Sequence, residues 1–196
     1  MLLAIDTSAG TSVAVVDRET GVLAERSTPD TRSHAESIGP FIQEVLAAAG
    51  HPQLSGVAVG MGPGPYTGLR VGIAAARAFA FGIGRPVVPI ASHDAIAFQL
   101  ARPGTIATDA RRRELAVSVY AEPDGEGIPL HVSGPNLVPR AELPESAEEF
   151  LEVSAAAVGL LAERLFALGR PFGPEQPLYL RAPDVTIATG PKRVSQ

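Results

Sequence analysis

The stretch from Val57 to Phe81, VAVGMGPGPYTGLRVGIAAARAFAF, constrains this chain more than any other. Val57-Ala58-Val59 is a short apolar run that reads as a buried strand. Gly60, Gly62, Pro63, Gly64 and Pro65 follow. Glycine permits φ > 0 and close backbone approach, and proline fixes φ, so they predict a rigid turn. A helical pattern then begins, with Thr67 as the expected N-cap. Gly68, Gly72 and Ala76 fall on one side of it, with Leu69, Ile73, Phe79 and Ala80 around them; Arg70 and Arg77 share a different side. Each interior glycine costs roughly 0.5–1 kcal/mol relative to alanine. A bare face of this kind calls for a compensating neighbour. Two readings compete: a phosphate cradle at a helix N-terminus, or close packing, within or between chains. The loop is not a G-x-x-x-x-G-K-[ST] phosphate loop, because the only lysine is Lys192. Nor does Gly62-x-Gly64 fit the dinucleotide fingerprint, since Gly68 arrives one residue late.

Upstream, three short apolar runs (Leu2–Ile5, Ser12–Val16, Val22–Ala24) are separated by turn signals at Gly10 and Asp17–Gly21, which predicts an antiparallel meander. Asp6, followed by Thr7 and Ser8, admits two roles: holding a magnesium-bound phosphate, or binding its own downstream N–H groups in an Asx-turn. Ser33-x-x-Glu36 reads as a capping box. Ile38, Phe41, Ile42, Val45, Leu46 and Ala49 form an amphipathic stripe over a helix 33–49, ended by Gly50 and kinked by Pro40. His34, in its first turn, reads as a surface residue. The second helix is expected over 67–83. Pro86–Ile90 predicts a parallel strand, and Ser92 caps a third helix reaching about Ala101. Pro103-Gly104 breaks the chain, placing a domain boundary there. The order β-β-β-α-β-α-β predicts an α/β fold, a mixed sheet with helices packed on it.

The second half opens in the same manner. Thr105–Thr108 is strand-like and ends in Asp109, Ala110–Glu114 is a charged turn, and Leu115–Tyr120 is a strong strand. Ile128–Val132 suggests another. Glu148–Leu168 is alanine-rich and reads as a helix or pair of helices. From Ala182 onward the sequence is polar and reads as a tail, 182–196.

Gly62-Pro63-Gly64-Pro65-Tyr66-Thr67-Gly68-Leu69-Arg70-Val71-Gly72 resembles the G-P-G-[SP]-[FY]-T-G-L-R-[IV]-G signature of the bacterial TsaB (YeaZ) family. Asp109-Ala110-Arg111-Arg112-x-Glu114 and Pro177-x-Tyr179-Leu180-Arg181 are similar to two further signatures of that family. The resemblance implies two ribonuclease H-like halves of the sugar kinase, Hsc70 and actin superfamily: 1–102 carrying the partner-binding helices, and a reduced second half, 103–181. Family members carry a further strand and loop before the last helix, which the sequence here does not reveal.

The same resemblance implies a non-catalytic partner in forming threonylcarbamoyladenosine on tRNA. The expected interface takes His34, Ile38, Phe41, Ile42 and Val45 from the first helix, and Tyr66, Gly68, Leu69, Gly72, Ile73 and Ala76 from the second. The expected partners are a TsaD-type paralogue, a TsaE-type ATPase through the complex, tRNA indirectly, and a second copy of the chain when the paralogue is absent. No cofactor is expected on the chain alone; a nucleotide at the junction with the paralogue is compatible with this reading. If a phosphate or nucleotide is held, Asp6, Thr7, Ser8, Gly62, Gly64, Thr67 and Asp109 are the candidates. A rival reading from another class is a phosphotransferase built on Asp6, the 62–67 loop and Asp109.

Composition narrows the chemistry further. The chain has 196 residues, a net charge of −5 and no cysteine, which removes disulfides, thiolate nucleophiles and thiolate metal sites. His34, His51, His93 and His131 include no pair three to five apart. The metal-binding His-x-x-x-His helix of TsaD corresponds by position to Ser92–Ala97, where His93 falls beside the ligand slots, so neither a metal nor a catalytic residue is expected. There is no H-E-x-x-H and no G-x-S-x-G. The one basic cluster, Arg111–Arg113, reads as a solvated turn, and autonomous RNA binding is not expected of an acidic chain. The N-terminus lacks the basic segment of a signal peptide and no apolar segment is long enough to span a bilayer, which makes the cytoplasm the default location.

Overall fold

The computed structural model describes residues 1–181; the expected 182–196 tail lies outside them. Five strands form the first sheet: β1 (Leu2–Asp6), β2 (Thr11–Asp17), β3 (Gly21–Thr28), β4 (Gly56–Gly60) and β5 (Val87–Ile90), in the order β3-β2-β1-β4-β5. The meander β1-β2-β3 is antiparallel, while β4 and β5 run parallel to β1. β1 and β4 are buried along their whole length, which explains their unbroken apolar sequence.

Helices α1 (His34–Ala48) and α2 (Tyr66–Gly82) cover one face. There Leu3, Ile5, Val13, Val15, Val57 and Val59 meet Ile38, Val45, Leu69 and Ile73. The opposite face carries Ala4, Ala14, Val16 and Ala58, and is covered by α4 (Ala155–Ala167). Small residues on that face let α4 come close. A Cβ at Gly159 would lie 2.6 Å from Val16 Cγ2 and 3.1 Å from Ala4 Cβ.

A second sheet, in the order β8-β7-β6-β9, is built from β6 (Gly104–Asp109), β7 (Glu114–Ala121), β8 (Leu130–Pro139) and β9 (Ala147–Phe150). Helix α3 (Ser92–Leu100) packs against α4 and β6, and Pro103 falls where the chain passes from α3 to β6. The architecture is α/β with two sheets, the second smaller.

Several expectations are corrected. Residues 148–168 are not helical throughout: 147–150 form β9, parallel to β6, and this is the further strand that the sequence hid. Helix α4 packs on the first sheet rather than the second, so 103–181 is not a self-contained packing unit. Its N-terminus is fixed there by Glu25 of β3, whose Oε1 accepts from Ser154 Oγ at 2.8 Å and from Ala156 N at 3.1 Å. A carboxylate at a helix N-terminus is favoured by both the orphan N–H groups and the dipole. Thr67 is not an N-cap, because α2 starts at Tyr66 after Pro65 and no side chain caps it. Ser33 does not close a capping box either: its hydroxyl donates to Asp30 Oδ2 at 3.1 Å. Ser92 lies inside α3 and turns its hydroxyl elsewhere.

Candidate functional site

Asp6 stands at the end of β1, where a buried strand gives way to a turn. It is 1% exposed. Its Oδ1 accepts from the N–H and the hydroxyl of Ser8, at 2.7 and 2.5 Å. Its Oδ2 accepts from Ser92 Oγ at 2.6 Å. Burial pushes the Asp6 carboxyl above the usual carboxylate range, against the bonds from Ser8 and Ser92. Gly60 is needed here, because a Cβ would overlap Asp6 Oδ2.

The glycine loop closes over the same turn. Gly62 N donates to Ser92 Oγ at 3.1 Å, and Ser92 N donates to Gly62 O at 2.7 Å. A Cβ at Gly64 would lie 2.7 Å from Ser8 O. Thr7 and Ser8 are buried, and Thr7 Oγ1 donates to Gly68 O at 2.8 Å. The polar groups of Asp6, Thr7, Ser8 and Gly62 are thus spent inside the chain. As an open phosphate cradle this set is corrected: the Asx-turn describes Asp6. Thr67 is exposed on α2, and Asp109 lies partly open beside Arg111 and Arg140, at 3.8 and 3.9 Å.

The glycine face of α2 is also accounted for within the chain. A Cβ at Gly68 would lie 2.8 Å from Thr7 O and 2.9 Å from His34 Nε2, and one at Gly72 would overlap the Thr7 side chain. Leu69, Ile73 and Ala76 are buried with them. Gly68, Leu69, Gly72, Ile73 and Ala76 therefore cannot offer a face to a second molecule, which corrects the expected interface. The physical reason is the turn after β1, which occupies the notch. On α1, His34, Ile38 and Val45 are buried as well. The His34 Nδ1 pairs with Thr11 Oγ1 at 2.8 Å, so it is not the surface residue expected. Burial, then the charge of Arg111, hold its imidazole below the ordinary value. Phe41, Ile42 and Tyr66 are the expected interface residues that keep partial exposure.

What α2 shows to solvent is the opposite stripe: Thr67, Arg70, Ala74, Arg77, Ala78 and Phe81, the last 89% exposed. Beside it α1 exposes Ala35, Glu36, Gly39, Pro40, Gln43 and Ala47. Both stripes lie outside the expected interface, which followed the glycines on the other side of α2. The signal was available in the i, i+4, i+7 spacing of Ala74, Ala78 and Phe81.

At the start of α2 a cleft of about 350 Å³ separates Gly64, Tyr66 and Thr67 from Arg111, Arg112 and Tyr179. The rings of Tyr66 and Tyr179 pack at 4.7 Å. Arg111, Arg112 and Arg113 all have positive φ, and Arg111 Nη2 donates to Thr31 Oγ1 at 2.6 Å, tying the second half to the segment before α1. Arg111–Arg113 form the exposed turn expected of them, with Arg111 tied in addition to Thr31. No group of three or more His, Asp or Glu that could hold a metal ion occurs among the described residues, and none of their helices is long and apolar enough to cross a membrane.

Comparison with known proteins bears on this geometry. Residues 12–126 match the sequence model of the family described as TsaD, tRNA N6-adenosine threonylcarbamoyltransferase. An uncharacterised protein of Mycobacterium tuberculosis is 37% identical over 93% of this chain and 92% of its own length. The Haemophilus influenzae tRNA threonylcarbamoyladenosine biosynthesis protein TsaB is 39% identical over 60% of this chain and 52% of its own. A crystal structure described as an uncharacterised protein with similarity to peptidase YeaZ from Pseudomonas aeruginosa superposes with a TM-score of 0.76 at 25% identity, covering 92% of this chain and 99% of that one. With the glycine-loop signature folded as described, the chain belongs to the TsaB (YeaZ) branch of the TsaD family.

Proposed function

We propose that this chain acts in the formation of threonylcarbamoyladenosine on tRNA as a non-catalytic activator, docking onto a TsaD-type threonylcarbamoyltransferase through the outward stripes of α1 and α2. Family membership supports the pathway. One observation carries the non-catalytic part: both oxygens of Asp6 are consumed by Ser8 and Ser92 in a closed turn. A phosphotransferase built on Asp6 would have to break those bonds before it could bind a magnesium-bound phosphate. The outward stripes suit docking because small residues such as Ala74, Ala78, Gly39 and Ala47 recur along them, with Phe81 as a ring able to fill a pocket on the partner.

In this proposal the chain raises the partner's activity by favouring its active conformation. A homodimer uses the same stripes when the paralogue is absent, a TsaE-type ATPase joins through the complex, and tRNA is engaged through the paralogue. A nucleotide, where one is present, sits at the junction between the two proteins. The work is done in the cytoplasm.

The test is Ala74→Glu, on the exposed stripe. Capture of the TsaD-type paralogue and tRNA modification in reconstitution should both fall at least tenfold, with the melting temperature unchanged. Undiminished capture by this variant refutes the docking face. ATP turnover by the isolated chain that disappears in Asp6→Ala would instead favour the phosphotransferase.

A further inference from the structure

A second cavity, of about 290 Å³, is bordered by Pro63 of the glycine loop. It is enclosed by the start of α3, the inner faces of β7 and β8, and residues 174–178. Its walls are mainly apolar: Pro63, Pro135, Pro174 and Leu178, with the Tyr120 ring. Polar groups enter from one side only, and their hydrogen-bonding capacity can be followed atom by atom.

His93 is 1% exposed and both its ring nitrogens are taken, Nδ1 by Ser118 Oγ at 2.8 Å and Nε2 by Thr108 Oγ1 at 2.9 Å. The Tyr120 hydroxyl donates to Asp94 Oδ1 at 2.6 Å. Asp94 Oδ2 receives no protein donor among the described residues. His131 stands at the exposed rim, its ring edge-on to Tyr120 at 5.3 Å. Among the described residues, the free capacity of the cavity is therefore that of an acceptor, and their one fixed charge there is a carboxylate. A neutral ligand of the same shape would leave that carboxylate unpaired, and an anion would meet it head on.

We infer that this cavity binds a small organic ammonium ion with an apolar body, the ammonium on Asp94 Oδ2 and the body among Leu178, the prolines and the Tyr120 ring. The aromatic face adds attraction for a cation. Burial raises the Asp94 carboxyl above the ordinary value, while the Tyr120 bond and His131 oppose this. Of the titratable groups facing Asp94, His93 is neutral, Tyr120 is held protonated, and His131 stands at the rim. Binding therefore strengthens as pH rises through the raised Asp94 range and its carboxyl ionises.

The experiment titrates the full chain with cyclohexylammonium, following the His131 imidazole signals by NMR, beside cyclohexanol and cyclohexanecarboxylate as neutral and anionic isosteres. Cyclohexylammonium should give saturable shifts at pH 8 with an affinity at least tenfold above that for cyclohexanol; the carboxylate should give none. Asp94→Asn should weaken the amine at least fivefold. Because that change also touches the Tyr120 bond, Leu178→Trp, which fills the cavity and leaves Asp94 alone, provides an independent arm and should abolish the shifts. Equal affinity for amine and alcohol, no saturable shift with the amine, or unchanged binding in a folded Leu178→Trp variant each overturns the inference. None of these outcomes touches the docking proposal, whose variant lies on α2.

Discussion

Thr7 fills the notch that Gly72 leaves in α2, and its hydroxyl bonds the carbonyl of Gly68 one turn away, at 2.8 Å. The two glycines are thus explained inside the protomer. Their propensity cost, about 0.5–1 kcal/mol each, is offset by the seat they give the turn after β1. That turn holds Asp6 and Ser8, so the same notch fixes the closed glycine loop.

Substitution at Gly72 should therefore act on stability before it acts on any partner. Gly72→Ala forces its new methyl against Thr7 and should cost about 1–3 kcal/mol, as overpacking does, despite the better helix propensity of alanine. In a Thr7→Ala background the Oγ1 and Cγ2 atoms that crowd position 72 are gone. The second substitution should then cost at least ~1 kcal/mol less than it does alone. Urea denaturation of the four species gives the coupling directly. Additive effects would mean that the notch and Thr7 are independent.

The outward stripe should behave in the opposite way. Phe81 is 89% exposed and belongs to no core cluster. Phe81→Ser should leave stability within about 0.5 kcal/mol, yet weaken binding to the TsaD-type paralogue at least tenfold. Urea denaturation reads the first number, and calorimetric titration against the purified paralogue reads the second. Full affinity in Phe81→Ser would remove this ring as an anchor.

These two cases mark how far the sequence could be read. Helical spacing locates α1 and α2 to within one residue at each end, at 34–48 and 66–82 against the expected 33–49 and 67–83. It also identifies Gly68, Gly72 and Ala76 as one face. What it cannot say is which molecule covers that face, because Thr7 lies 65 positions away from Gly72 along the chain and no local pattern links them. The missed strand has a different cause. Ala147-Glu148-Glu149-Phe150 is an edge strand, paired only with β6 among the described strands and carrying two charged residues, as protected edges do. Alanine and glutamate favour helices, so local propensity pointed the wrong way and tertiary pairing overrode it. The destination of α4 was hidden for the same reason as Thr7: its capping carboxylate, Glu25, belongs to the first meander.

That carboxylate supports a third prediction. Glu25 Oε1 receives Ser154 Oγ, Ala156 N and, at 3.0 Å, Ser12 Oγ. Ser12 Oγ in turn accepts from Ala155 N at 3.0 Å. Glu25→Ala removes the acceptor on which the α4 N-terminus rests. It should cost about 1–3 kcal/mol, the range for a hydrogen-bonded charged group. Amide exchange should speed up in 155–160 before it does in α2. Uniform acceleration across both helices would instead indicate global loosening.

The final prediction concerns acid. His93 joins α3 to β6 and β7 through Thr108 and Ser118, and burial, with His131 as a minor contributor, lowers its pKa to about 3. In the unfolded chain an ordinary histidine titrates near ~6.5. Above that value neither state holds the extra proton, and the full stability of the neutral imidazole is present. Between pH 6.5 and about 3 the unfolded chain binds the proton and the folded one does not. Stability should fall with falling pH, by up to ~1.4 kcal/mol per pH unit from this group. Asp6 works in the other direction. Its pKa is raised on folding, so the folded state holds its proton more tightly just above the ordinary carboxylate range, and its contribution is lost as pH rises there. A simple pH–stability curve mixes the two. The separation comes from His93→Gln, which keeps a donor and an acceptor for the two hydroxyls but does not titrate. Denaturation midpoints of wild type and variant, taken from pH 7.5 down to 4.5, should differ by an amount that stays flat above 6.5. Below it, the difference should move steadily in favour of the variant. A difference that stays flat across the whole range would mean that His93 gains its proton without cost, and that it does not hold α3 to the second sheet in neutral form.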